Sequence, residues 1–353
     1  MAAEGDNIVR FTYTGADGQV IPDVATHILV QARVVRARAF YEHSSIVEVI
    51  CHEDVEKIEE QAFCGCRSLR RVIMPGIKIV EEFAFYNCHA LEHLECDMLE
   101  IIGRGAFIRC ESLNNINLPS ARIVERGAFI ACRALMDVKF GSRLERFEGA
   151  REEGAFLGIG FYNCKSLERI TIPLKDGLIT AEPFIGCDNL KQVDLVEGEL
   201  HETIAALHLQ EWRDDMSEEI DSINHILPNA SAGSIVFDDD DEEAYPLVDN
   251  GQKAQEIRGW IRSVLDKIAH YQVEHQRLLN GTATILERVL PNNDIVMKKV
   301  LPFLELPSYS FEVGGDHQDA RRLNVELLGI EDSDEEEEQV SRADSSLGDD
   351  EEE

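Results

Sequence analysis

Aromatic, small and aliphatic residues recur along the first half of the chain with a period near 22 residues. Phe40, Phe63, Phe85, Phe107, Phe129, Phe161 and Phe184 mark the period, in steps of 23, 22, 22, 22, 32 and 23 residues. Alanine precedes the first five, as Ala39, Ala62, Ala84, Ala106 and Ala128. Three residues after the aromatic stands Cys66, Cys88, Cys110, Cys132, Cys164 or Cys187, with His43 in the first copy. Six residues after it comes Ile46, Leu69, Leu91, Leu113, Leu135, Leu167 or Leu190, and nine after it Val49, Val72, Leu94, Ile116, Val138, Ile170 or Val193. A unit this short cannot bury a core alone. Stacked copies can, because each lends its neighbours an apolar floor or ceiling.

Within a copy the alternation is that of a strand. In Leu69 to Pro75, extended backbone places Val72 and Met74 on one side and Arg71 and Ile73 on the other. Pro75, Pro119 and Pro173 end such runs, since proline has no amide to give a ladder. The phenylalanines are expected to stack as an internal column, and the cysteines to pack beside them as a second buried column.

The columns spell A-F-x-x-C-x-x-L-x-x-V-x-(I/L)-P, as in Ala84-Phe85-Tyr86-Asn87-Cys88-His89-Ala90-Leu91. This pattern resembles the BspA-like, or LRR_5, class of leucine-rich repeats over roughly residues 28–196. The resemblance implies a right-handed solenoid with one main strand per turn, and it implies no single function. The expected fold is thus a β-rich solenoid of about seven copies, followed by an α-helical C-terminal module.

Other segments depart from the period. The fifth step is longer by about ten residues and holds Gly149, Gly154, Gly158 and Gly160, which predicts a loop inserted at about 147–160. Residues 1–27 are read as an N-terminal cap, with a hairpin from Phe11-Thr12-Tyr13 through Gly15 to Gly18 and back along Gln19-Val20-Ile21, covering the first repeat's open edge.

The repeat ends at Val196. Residues 197–330 are expected to form a helical module. One helix runs from His201 to Leu227, where Pro228 ends it. A stronger one over 252–279 carries the stripe Ile257, Trp260, Ile261, Val264, Leu265, Ile268, Tyr271, Leu278 and Leu279, with Asn280-Gly281 as its stop. Short helices are expected at Thr282 to Leu290 and Asp294 to Leu301. These stripes can pack on each other, cap the last repeat, or pair with a second chain. The linker 229–250 and the tail 331–353 are expected to be disordered.

Charge narrows the function classes. The chain holds 68 acidic and 34 basic residues, a formal charge of −34. Residues 1–196 carry 29 acids and 22 bases, and residues 250–330 carry ten of each. The excess lies in 197–249, with 16 acids and one base, and in 331–353, with 13 acids and one base. Nothing here concentrates the lysine and arginine that nucleic acid or anionic membrane requires. No apolar span is long enough to cross a bilayer, and Met1 to Asp6 lacks the features of a signal peptide, so an intracellular chain, cytoplasmic or nuclear, is expected.

Candidate chemistry is sparse. Cys88, His89, His93 and Cys96 have metal-like spacing, yet the register buries Cys88, turns Cys96 inward and turns His93 outward, so they do not converge as zinc ligands must. Cys64 and Cys66 are read as buried thiols. Gly158-Ile159-Gly160 lacks the strand and helix of a phosphate cradle, and no nucleophile elbow, Walker A or H-E-x-x-H motif occurs. No catalytic residue, cofactor or metal is therefore assigned.

What remains is the outward face of the repeat strands. Eight residues after each phenylalanine it carries Glu48, Arg71, His93, Asn115, Asp137, Arg169 and Gln192. Ten after, it carries Ile50, Ile73, Glu95, Asn117, Lys139, Thr171 and Asp194. These identities vary from copy to copy above fixed core columns, as a surface free to specify a partner would. The expected function is a non-catalytic protein–protein interaction scaffold. The alternatives are an acidic, chaperone-like binder of basic proteins through Asp238 to Glu243 and the tail, and an enzyme sited at the glycine-rich insertion or the solenoid–helix junction.

Overall fold

A computed structural model describes residues 8–147, 160–179, 182–196, 204, 207, 209–227 and 252–289. The chain opens with β1 (Arg10–Tyr13). Each turn then supplies one longer strand: β2 (His27–Val30), β4 (Glu48–Cys51), β6 (Arg71–Ile73), β8 (His93–Glu95), β10 (Asn115–Leu118), β12 (Asp137–Phe140), β14 (Arg169–Ile172) and β15 (Gln192–Leu195). Two-residue strands alternate with them: β3 (Val34–Val35), β5 (Lys57–Ile58), β7 (Ile79–Val80), β9 (Ile101–Ile102), β11 (Ile123–Val124) and β13 (Arg146–Phe147). The protein is a β-solenoid of about seven turns followed, among the described residues, by two long helices, α1 (Gln210–Ile226) and α2 (Gln252–Val289).

Three ladders join the turns, the first of them interrupted between β8 and β10. The longer strands form one sheet of five, in the order β1-β2-β4-β6-β8, and one of four, β10-β12-β14-β15. The short strands form a second wall of six, from β3 to β13. All of these pairings are parallel, and equivalent residues of adjacent turns sit side by side, as Arg71 does with His93. The third ladder runs through the arcs around the phenylalanines, where Phe63, Phe85 and Phe107 donate their amides to the carbonyls of Ala84, Ala106 and Ala128. Residues flanking the aromatic adopt positive φ to present those amides, among them Gln61, Phe83, Asn87 and Arg109. Gly105 and Gly65 occupy the same places in their turns, where the left-handed conformation is cheapest for glycine.

The core is columnar. Phe40, Phe63, Phe85, Phe107, Phe129 and Phe161 stack at centroid spacings of 4.8, 5.2, 5.3, 5.4 and 5.2 Å, with planes within 6° of parallel. Phe184 extends the stack at 5.9 Å, and Tyr13 closes the other end at 5.1 Å from Phe40. Beside them each column thiol donates to the carbonyl of the previous turn's aromatic: Cys66 to Phe40 at 3.1 Å, Cys88 to Phe63 at 3.2 Å, Cys110 to Phe85 at 3.3 Å, Cys132 to Phe107 at 3.1 Å, Cys164 to Phe129 at 3.1 Å and Cys187 to Phe161 at 3.0 Å. His43, which replaces cysteine in the first copy, makes the same kind of bond from Nε2 to the Pro22 carbonyl at 3.0 Å.

Three details differ from the sequence expectation. The hairpin over 7–27 is not formed, because β1 pairs in parallel with β2 and Gln19 turns its side chain to Thr12 and Thr14 instead of entering a strand. β1 nevertheless lies on the open edge of the sheet. Asn280-Gly281 does not stop the second helix. It continues to Val289, with Thr282 and Thr284 returning hydroxyl bonds to the Leu278 and Asn280 carbonyls. The separate helix expected from Thr282 is the end of this one. The first helix is described from Gln210, short of the expected start at His201. The inserted loop lies almost wholly outside the described residues, as do Asp294 to Leu301, the acidic linker and the tail.

The helices close the C-terminal end of the stack. Met216 and Ile223 of α1 and Ile257, Trp260, Ile261, Val264 and Ile268 of α2 are buried in the core that continues from the repeats. Asn224 Oδ1 accepts the Val193 amide at 3.0 Å, on the edge that a further strand would otherwise pair. Lys253 Nζ donates to the carbonyls of Cys187, Asp188 and Leu190 at 2.7, 2.9 and 3.0 Å. In interior turns the counterparts of Asp188, such as His89 and Glu111, give their carbonyls to Ser112 and Ala134 of the next turn. Lysine here meets carbonyls of the kind that the next turn's amides meet in interior turns.

Candidate interaction surface on the strand face

The pleat decides what this surface displays. In β6, Val72 is buried while Arg71 is exposed and Ile73 half-buried, and in β10 Ile116 and Leu118 are buried between exposed Asn115 and Asn117. Register then lines the outward residues into columns. The first runs Glu48, Arg71, His93, and then Asn115, Asp137, Arg169, Gln192. The second runs Ile50, Ile73, Glu95, and then Asn117, Lys139, Thr171, Asp194. All fourteen expected residues therefore share one face. β2 adds His27 and Leu29 to the head of the columns. The run His27-Ile28-Leu29-Val30 already carried the alternation, but it precedes the first phenylalanine and so lay outside the register counted from it.

Most charges on this face are met within it. Arg71 lies between Glu48 at 3.7 Å and Glu95 at 3.1 Å. Arg169 reaches Asp194 at 3.6 Å and donates to Gln192 at 3.0 Å. Lys139 lies 3.7 Å from Asp137, and His27 lies 3.8 Å from Glu48. Exposed pairs of this kind contribute about 0–1 kcal/mol each. They order the side chains without adding much stability, leaving a surface of mixed charge and hydrogen-bonding groups.

The other sequence candidates fall into the frame. Cys88, Cys96, His89 and His93 do not gather, and among the described residues no three metal-ligating side chains do. Cys88 is bonded within the thiol column, Cys96 is buried, and His93 is exposed. Burial pushes the Cys66 and Cys132 thiols up to about 12 and Cys88, Cys110 and Cys164 well above their ordinary value, which removes the thiolate that nucleophilic or redox work requires. Where the strand face meets α1, a groove of about 610 Å³ is lined by Lys139, Arg169, Thr171, Asp194, Asp221 and Asn224 over Phe140 and Leu195. No helix among the described residues is long and apolar enough to cross a membrane.

Three comparisons bear on kinship. The family model for the BspA type leucine rich repeat region matches residues 33–151 and 159–206, in six copies. No curated protein matches the chain. Among solved structures, a leucine-rich repeat protein of T. pallidum is 23% identical with a TM-score of 0.37, over 57% of this chain and 85% of that one. A leucine-rich cell surface protein of Faecalibacterium prausnitzii is 16% identical with a TM-score of 0.22, over 50% and 80% of the two chains. A leucine-rich repeat protein from Bacteroides ovatus is 20% identical with a TM-score of 0.27, over 49% and 61%. The matched model, the seven-copy register and the stacked phenylalanine and cysteine columns together identify residues 33–151 and 159–206 as a BspA type leucine-rich repeat region.

Proposed function

We propose that this protein is a non-catalytic, intracellular protein–protein interaction scaffold whose recognition surface is the outward face of the longer strands. One observation carries the proposal: fourteen outward residues from seven turns fall into two columns that mix charged, polar and aliphatic residues, above core columns that keep one residue type or a narrow set of apolar ones in nearly every turn. The register fixes spacing, and the varied side chains on it supply specificity. The test is the variant Arg71→Ala, His93→Ala, Lys139→Ala and Arg169→Ala. Its thermal stability should stay near that of the parent, since the ion pairs lost are exposed. Partner capture should fall at least tenfold if these residues sit at an interface centre. Unchanged capture by the folded variant refutes the strand-face assignment.

A second reading rests on charge. Residues 197–249 and 331–353 hold 29 of the 68 acidic residues, a polyanion able to engage a basic protein. That complex should weaken steeply as salt rises, because exposed charges are screened within about 8 Å at physiological ionic strength. A salt-insensitive complex rejects this second reading.

A further inference from the structure

The strand-face sheet has one interior break, between β8 and β10. The turns themselves remain stacked there. β9 pairs with both β7 and β11, and Phe85 and Asn87 still donate to Ala106 and Ile108. The break is therefore confined to the strand face.

The missing bonds can be named. At the entrance to most of the longer strands, two successive amides converge on one carbonyl of the previous turn, and at β12 one amide, that of Met136, reaches the Asn114 carbonyl. Arg70 and Arg71 donate to Val47, Glu92 and His93 to Arg70, and Glu168 and Arg169 to Met136. At the break the Glu92 carbonyl receives neither Asn114 nor Asn115. Asparagine disfavours strands, and two in succession enter β10. Leu94 is only half-buried, whereas its column neighbours Val72 and Ile116 are buried. A cleft of about 400 Å³ opens over it, lined by Arg71, Glu92, His93, Leu94, Glu95 and the two asparagines.

The cleft thus has an acceptor on one lip, two donors on the other and an apolar floor. A peptide group carries one donor and one acceptor and matches both lips at once. The charged groups in the lining are two carboxylates, one guanidinium and one imidazole, within residues 1–196 that carry 29 acids against 22 bases, which favours a cationic visitor. Glu95 is shared with Arg71 at 3.1 Å and Glu92 with Arg70 at 3.5 Å, so both carboxylates keep unused lone pairs.

We propose that the split between β8 and β10 binds an extended segment of a basic polypeptide, one peptide group bridging the Glu92 carbonyl and the Asn114 and Asn115 amides, and a neighbouring arginine or lysine stem lying on Leu94. The proposal rests on the strand-face assignment above and locates its anchor. The test is nitrogen–proton correlation NMR of the full chain titrated with acetyl-Val-Arg-Val-amide. Shifts should concentrate at Leu94, Asn114 and Asn115. The same peptide N-methylated at its internal amides should bind about five- to tenfold more weakly, the worth of one hydrogen bond. Acetyl-Val-Glu-Val-amide should be weaker than the arginine peptide. Equal binding of the N-methylated peptide, or shifts elsewhere on the chain, overturns the proposal. Loss of partner capture in the four-site variant, with no peptide shift at the split, rejects the cleft alone and leaves the strand-face assignment standing.

Discussion

Replacing Lys253 by methionine probes how the helices hold the end of the solenoid. Lys253 is 9% exposed, and its ammonium spends three donors on the carbonyls of Cys187, Asp188 and Leu190. Methionine keeps most of the stem's packing and removes every donor. The Cys187 carbonyl still accepts the Leu190 amide at 3.1 Å, and losing the bonds to the Asp188 and Leu190 carbonyls costs about 1–3 kcal/mol each. The variant also no longer withdraws an ammonium from water, which returns several kcal/mol of desolvation. The net expectation is a loss of about 2–4 kcal/mol, felt first where the helices meet the last turn. The chain's two tryptophans report this locally. Trp260 is buried and donates to the Glu219 carbonyl at 3.0 Å, and Trp212 stacks on Tyr271 with centroids 5.1 Å apart. A urea titration followed by tryptophan fluorescence should shift its midpoint to lower urea. The far-UV signal of the repeats should shift less, because stability in a stacked array is a sum of neighbour terms. A change below about 0.5 kcal/mol, the size of an ordinary surface substitution, refutes the capping role.

Phe107→Ala removes a fully buried ring from the middle of the stack and should cost about 3–5 kcal/mol by chemical denaturation, whereas a value near 1 kcal/mol would mean the column is not close-packed. Gly76→Ala places a Cβ 1.8 Å from the Glu53 carbonyl oxygen, so the turn must shift and the melting temperature should fall by several degrees, as calorimetry can show. All nine cysteines are buried, so thiol reagents at pH 8 should modify them slowly in the folded chain and fully in denaturant. Burial raises the Cys132 thiol from an ordinary value near 9 to about 12, so the unfolded chain releases its proton first. The stability it contributes is whole below pH 9 and lost as pH rises toward 12. Cys132→Ala should flatten the alkaline fall in melting temperature.

The repeats were readable because the same demand recurs in each turn. A stacked phenylalanine, a thiol facing a carbonyl and an inward aliphatic each need one residue type at one offset, so seven copies print the demand seven times. Outward residues of the candidate face followed from the pleat alone. Features that occur once were not readable. Leu94 fits its column as well as Val72 does, and only the missing Glu92 bonds show that the sheet opens there. Lys253 looks like any lysine near a helix start until the last turn's carbonyls converge on it. Asn280-Gly281 carries a stop signal of about 1 kcal/mol, which the rest of a 38-residue helix outweighs. Gly15 and Gly18 bend the chain with positive φ, but the strand they follow pairs in parallel with β2, a long-range choice that local turn chemistry does not record.

The most direct measurement of the central claim is a quantified capture of partners from native extract at physiological salt. It compares the full chain, the four-site strand-face variant, and a chain ending at Ile330 with Asp238 to Glu243 replaced by glycine and serine. The expected result is loss of the partner with the strand-face variant and its retention by the acid-stripped chain. Retention by the strand-face variant with loss from the acid-stripped chain contradicts the account and moves recognition to the polyanionic segments.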